Sequence, residues 1–507
     1  MFKWENLSKF IPSVTEPVQK LSFREKAKWT FLIIVLFFIL GSLSAWGINS
    51  AAVAQFEFLE IIFGSKFGSI ITLGIGPIVT ASIILQLFVG SKIINWDTNT
   101  EDGKKKFQSA SRLLMIAFCV IEAVAYVMFG AVPPAVPDLA AIVIVQLIVG
   151  GIIIIFMDEV CSKWGFGSGV SLFIAAGVAK TLIVRTLNPL TQAGTFPTVG
   201  EPPAGIIPLF LTSIAEGMPS FIVLLPLFST IFVFILTVYI QGVRVELPMS
   251  FSLPYGKFGS RRWPIKFLYT SNIPVILTAA VIANLQVLGK LLYQKGLTFL
   301  GEYNQDGQPI SGFMYLISNP SGNTGIIVVS VMASMFALAF ILINQRIWKK
   351  HLAAFSLLGA VIGVIVGLIL IPTYNLQAIS FQDLLHSLVY IAVFVIGSTV
   401  FSMFWVNTAG MDSKSVAEQF KSQSIILPGF RHDPRIIEKV LDKYIPVLTV
   451  LGGAFVGFLA SFADMTSAIG SGTGILLSVM IVYQLYEQIV AKHYDEIPER
   501  IRKFLDI

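Results

Sequence analysis

Long apolar runs separated by short polar ones dominate the chain, and their lengths define the elements. A helix crosses the hydrocarbon core in about 20 residues. Runs of that size predict spans at Trp29 to Gly47, Leu113 to Val132, Leu139 to Met157, Gly169 to Leu187, Phe221 to Gln241 and Ile273 to Leu292. Further spans follow at Gly325 to Ile343, Leu352 to Ile371, Leu384 to Val406, Ile445 to Phe462 and Ile475 to Val490. One run does not fit. Phe56 to Ile94 is too long for one crossing and too short for two. Its second part, from Thr72, completes a set of twelve spans. Its first part contains Glu57, Glu60, Lys66, Gly64 and Gly68, and such a stretch is tolerated at membrane depth only where protein or water surrounds it. It reads as a half-inserted piece that the rest of the chain encloses.

Composition agrees with an all-α polytopic membrane protein. The 507 residues are 55% hydrophobic and 13% charged, with a mean hydropathy of +0.80, far from the soluble average. Residues 1–28 are too long and polar for a cleaved signal, so the first span is expected to be retained. All but five of the 35 Lys and Arg fall on one side if the N-terminus is cytoplasmic, the exceptions being Lys66, Lys180, Arg185, Lys290 and Lys295. The positive-inside rule therefore predicts cytoplasmic termini and hangs the half-inserted piece from the outer side.

Three cytoplasmic segments exceed simple connections: Asn95 to Ser111 with Lys104, Lys105 and Lys106, the proline-rich Gly242 to Ser271, and Asn407 to Tyr444. The last two suggest docking of a large partner, and a polyanion such as a ribosome suits their basic residues. Gly167-Ser168-Gly169 and Gly470-Ser471-Gly472 each open a span, 303 residues apart. The two spans run in opposite directions, as in an inverted repeat, although close packing also explains such glycines.

Candidate chemistry is sparse. Cys119 and Cys161 are the two cysteines and His351, His386, His432 and His493 the four histidines. No Walker loop, HExxH pair or CxxC motif is present, so neither an enzyme nor a cofactor or metal is expected. An ion-coupled secondary transporter suits twelve spans and an inverted repeat, but needs ionisable groups at the midplane. Glu122 is the main one. The remaining reading is a pore sealed by aliphatic residues, with Ile75, Val79, Val170 and Ile174 as candidates, although on residue type alone ordinary core packing explains them better.

The motifs then become specific: ITLGIGPIVTASIILQLFVG from Ile71, GFGSGVSLFIAAG from Gly165, RVELP from Arg244, WPIKF from Trp263 and SNIPVIL from Ser271. FWVNTAGMDSKSVA from Phe404, YIPVLTVLGGAFVGFLA from Tyr444, GSGTGILL from Gly470 and YEQ from Tyr486 continue the series. In order and over nearly the whole length, the chain resembles the SecY family of protein-conducting channel subunits in its archaeal and eukaryotic form. The resemblance implies two inverted five-helix halves, residues 29–187 and 221–490, joined by an outer loop at 188–220 and followed by a cytoplasmic tail, 491–507. It implies a pore ring of Ile75, Val79, Val170, Ile174, Ile276 and Leu477, and a plug helix at residues 56–67 using Phe56, Phe58, Ile61, Ile62 and Gly64. A lateral gate would carry the polar residues Thr80, Glu122 and Asn284, and Arg244, Arg261, Arg262 and Arg431 would dock ribosomes. Implied partners are the small subunits SecE (gamma) and Sec-beta, the ribosome, nascent polypeptides with signal sequences and the lipid of a plasma membrane. The family has ten spans, so the pair at 325–371 is expected as an inserted hairpin, either lipid-facing or a docking surface near the gate.

Overall fold

In a computed structural model of the chain, the residues described are 14–19, 21–49, 66–90, 93–94, 96, 100–191, 195–197, 202–215, 221–252, 258–270, 272–304, 308–320, 324–347, 352–373, 379–422, 425–426 and 434–493. The N-terminal half comprises α1 (Phe23–Ser42), α2 (Gly76–Gly90), α3 (Glu101–Met128), α4 (Ala140–Trp164) and α5 (Gly169–Leu187), and α6 (Ile206–Ala215) follows in the connection to the second half. Next come α7 (Leu225–Gln241), strands β1 (Arg244–Ser252) and β2 (Phe258–Lys266), α8 (Ile273–Gln294) and the short α9 (Gly312–Leu316). The surplus hairpin is α10 (Thr324–Ile347) and α11 (Leu352–Thr373). The chain continues through α12 (Phe381–Thr408), α13 (Ser413–Ser422), β3 (Ile425–Ile426), α14 (Pro434–Leu441), α15 (Ile445–Met465) and α16 (Gly472–His493). Each expected apolar run carries a helix. Among the described residues, eight helices are long and apolar enough to cross a membrane.

Prolines set several starts. Pro226, Pro274 and Pro446 sit in the first turns of α7, α8 and α15, where a missing N–H costs nothing. Small residues then let helices approach. A Cβ on Gly457 of α15 would lie 2.5 Å from the Phe394 carbonyl oxygen of α12, and Ser402 of α12 donates to the Thr449 carbonyl of α15 at 2.8 Å. Close backbone contact replaces the hydrophobic drive that lipid does not supply.

Three expectations change. The span expected from Thr72 becomes helical only at Gly76, because Gly74 takes φ of +52° and Gly76-Pro77 starts the helix. Residues 67–75 are a turn segment in which Ile71, Thr72 and Leu73 are buried, so irregular backbone is enclosed by protein. The lysine run is not a loop but the first turns of α3. Within the all-α architecture, the two long polar segments are also not simple loops: β1 pairs antiparallel with both β2 and β3, joining the two segments in one small sheet.

The hairpin packs through α10 against α7 and α15. Val328 and Val331 pack with Leu225 there. Gly363 and Gly367 seat α11 on α10, a Cβ at Gly363 falling 2.3 Å from the Met332 carbonyl oxygen. The opposite face of α11, with Leu358, Val361, Ile365 and Leu368, is exposed. The hairpin is therefore seated on α7 and α15, and its outer face suits lipid.

Candidate functional site

The six expected ring residues come from five places: Ile75 in the turn before α2, Val79 on α2, Val170 and Ile174 one turn apart on α5, Ile276 on α8 and Leu477 on α16. The structure brings them into one apolar cluster. Ile75, Val79, Ile174, Ile276 and Leu477 are each at most 9% exposed, and half-buried Val170 packs against the same cluster. The inverted relation between α5 and α16 gives this meeting its symmetry, since these two helices pack together. These aliphatic side chains from both halves offer no hydrogen bonds to one another.

Beside the ring lies a polar seam. The Asn284 Nδ2 amide on α8 donates to Thr80 Oγ1 on α2 at 3.2 Å, and the Thr80 hydroxyl is hydrogen-bonded to the Glu122 carboxyl of α3. The other Glu122 oxygen, Oε2, is buried with no hydrogen-bond partner among the described residues. All three expected gate residues therefore meet. Thr80 is thus the centre of the seam, bonded to one residue on each neighbouring helix, with one buried Glu122 oxygen left unsatisfied beside it.

Behind each echoed Gly-Ser-Gly stands a carboxylate that the sequence reading did not single out. Asp158, near the end of α4, accepts from Val170 N at 2.9 Å and Ser168 Oγ at 3.3 Å. Asp464, near the end of α15, accepts from Thr473 N and from the Tyr390 hydroxyl, each at 2.8 Å, and from Thr473 Oγ1. Each carboxylate caps the helix that carries ring residues, using donors that would otherwise be orphaned. The glycines permit the approach: a Cβ at Gly472 would lie 1.8 Å from the Ala463 carbonyl carbon. The available sequence signal was an Asp six to nine residues ahead of each motif.

The sheet, α13 and α14 form one platform. Ile265 is buried with Phe420, Ile437 and Leu441, and Trp263 meets Phe420 edge-on at 4.7 Å. Tyr269 donates to the Met411 carbonyl at 2.7 Å; burial first, then the Asp412 carboxylate, pushes its phenol up to about 12, keeping it a neutral donor. Arg244 opens β1, and Arg261 and Arg262 are adjacent on β2, in register with Met249 and Pro248 of β1. Arg431 and the plug residues Phe56, Phe58, Ile61, Ile62 and Gly64 lie outside the described residues. Among the described residues there is no cluster of His, Cys, Asp or Glu able to hold a metal ion.

Comparison with known proteins gives a consistent result. A family model described as SecY matches residues 69–486. The chain is similar to the protein translocase subunit SecY of Methanocaldococcus jannaschii, with 38% identity over 496 residues covering 98% of each chain. It is similar to a solved structure of a protein-conducting channel, with a TM-score of 0.76, 38% identity and 98% of each chain covered. It is also similar to Sec61 in the canine ribosome-channel complex from the endoplasmic reticulum, with a TM-score of 0.74, 38% identity and the same coverage.

Proposed function

The chain belongs to the SecY family, and on that premise we propose that it is a protein-conducting channel. It moves signal-sequence-bearing polypeptides across the membrane and releases transmembrane segments sideways into lipid. The observation that carries this reading is that the aliphatic residues of α2, α5, α8 and α16 share one large buried apolar cluster, with the Thr80–Asn284 hydrogen bond joining α2 to α8. The ring of Ile75, Val79, Val170, Ile174, Ile276 and Leu477 forms a gasket around an extended chain and limits ion leak. A signal sequence enters where α2 and α8 part. It favours the open state because it contacts both lipid and protein only there. Residues 56–67 serve as the removable plug on the outer side.

Energy comes from outside, from translation, with the ribosome docked on the cytoplasmic platform through Arg244, Arg261, Arg262 and Arg431. The canine relative Sec61 occurs in a ribosome-channel complex, and the basic platform suits ribosomal RNA. SecE and Sec-beta complete the complex. The charge distribution supports a plasma-membrane protein with both termini cytoplasmic. The alternative, an ion-coupled transporter, draws no support: Asp158 and Asp464 are engaged as helix caps, and the relatives named above are translocase subunits and protein-conducting channels.

The test is reconstitution of the purified complex in vesicles with ribosomes translating a signal-bearing reporter. Protease protection of the reporter is expected. A solitary chain that accumulates a solute down an ion gradient, with no protected reporter, would overturn the reading.

A further inference from the structure

Glu487 lies on α16, in the Tyr-Glu-Gln motif that the channel reading left without a role. Its two oxygens serve two strands. Arg244 Nη2 lies 3.5 Å from Oε1, and Lys266 Nζ donates to Oε2. Arg244 is the first residue of β1 and Lys266 the last of β2, and they are register partners. One carboxylate therefore holds both strands at the base of the hairpin. One turn earlier on the same helix face, the Tyr483 ring lies 5.9 Å from Lys266 Nζ, which adds a cation–π contact.

The helix so gripped also bears Leu477. Ten residues separate Leu477 from Glu487, about 15 Å along a helix rising 1.5 Å per residue. The docking surface and the ring are thus joined by one rigid element. The cations in the grip are also cations that a polyanion attracts, and phosphate oxygens compete with a carboxylate for the same guanidinium and ammonium donors.

We propose that Glu487 is a positioning residue that ties the cytoplasmic hairpin to the ring-bearing helix α16, and that a docked ribosome competes with it for Arg244 and Lys266. The second step rests on the ribosome-docking reading above. In the resting channel Arg244 is an anchor, and docking recruits it away.

The test uses the full chain in its complex with the small subunits, carrying one spin label at Ser252 on β1 and one at the exposed Val482 on α16. Cys119 and Cys161 are buried and stay unlabelled. A narrow distance distribution is expected at rest for the native chain and for Glu487→Asp. Glu487→Gln, isosteric at a side chain 27% exposed, should broaden it, and Lys266→Met should do the same from the other strand. A distribution unchanged in both variants overturns the anchor. Titration with non-translating ribosomes at low salt should show about three- to tenfold tighter binding to Glu487→Gln, since two exposed pairs no longer compete. Equal or weaker binding overturns the competition. Absence of ribosome binding to native and variant alike defeats the docking reading itself and the competition with it, while the label distances still decide the anchor.

Discussion

Replacing Ile75, Val79 and Ile174 together with glycine perturbs the ring most directly. All three are buried in the central cluster with Ile276 and Leu477. Isoleucine carries four side-chain carbons and valine three, so the change removes roughly eleven apolar groups, or about 9 kcal/mol of gross contact at about 0.8 kcal/mol each. Most of that loss is absorbed as reduced stability and by inward collapse of neighbours. Even a sixth of it, about 1.4 kcal/mol, taken from the barrier to ion passage multiplies the leak about tenfold. The substitutions belong in a chain already lacking residues 56–67, so that the proposed plug cannot mask the effect. Resting conductance of the purified complex in planar bilayers is the assay. A rise of at least about tenfold over the deletion alone is expected. Conductance equal to that background, in a complex that retains its small subunits, would refute the ring.

Two further outcomes follow from contacts described above. Asn284→Ala deletes the donor to Thr80, worth about 0.6 kcal/mol for hydrogen bonds inside membranes; export of a reporter with a weakened signal sequence should rise about threefold, and reduced export would contradict the seam. Gly472→Ala forces a Cβ into the Ala463 backbone, whereas Gly177 on α5 has nothing within 4 Å. Thermal unfolding in detergent should show a loss of about 3 kcal/mol or more for Gly472→Ala and almost none for Gly177→Ala.

Much of the fold was legible because span length is a strict constraint and glycine and proline punctuate it. The start of α2 was less so, since Ile71 to Ile75 are as apolar as the helix that follows and their departure from helix shows only in Gly74 and Pro77. The ring could not be read from residue type at all. Ile174 and Leu477 look like any packed aliphatic until the opposing α5 and α16 bring them together, and the family motifs supplied their grouping in advance. The cytoplasmic sheet was hidden for another reason: β3 is two residues long and exists only through pairing with β1, across an intervening stretch of more than 170 residues. Glu487 was obscured in the same way, because its partners lie 221 and 243 positions earlier in the chain. Asp158 and Asp464 were closest to being found, each standing just ahead of a motif already noticed.

The three-stranded sheet is built entirely from segments of the C-terminal half, β1 and β2 before α8 and β3 after α12. On the docking proposed above, a ribosome seated on it would be held by one half alone, like work bolted to one jaw of a vice. Parting α2 from α8 would then leave its mount within a single half, and strength of attachment and freedom to open could be tuned by separate substitutions.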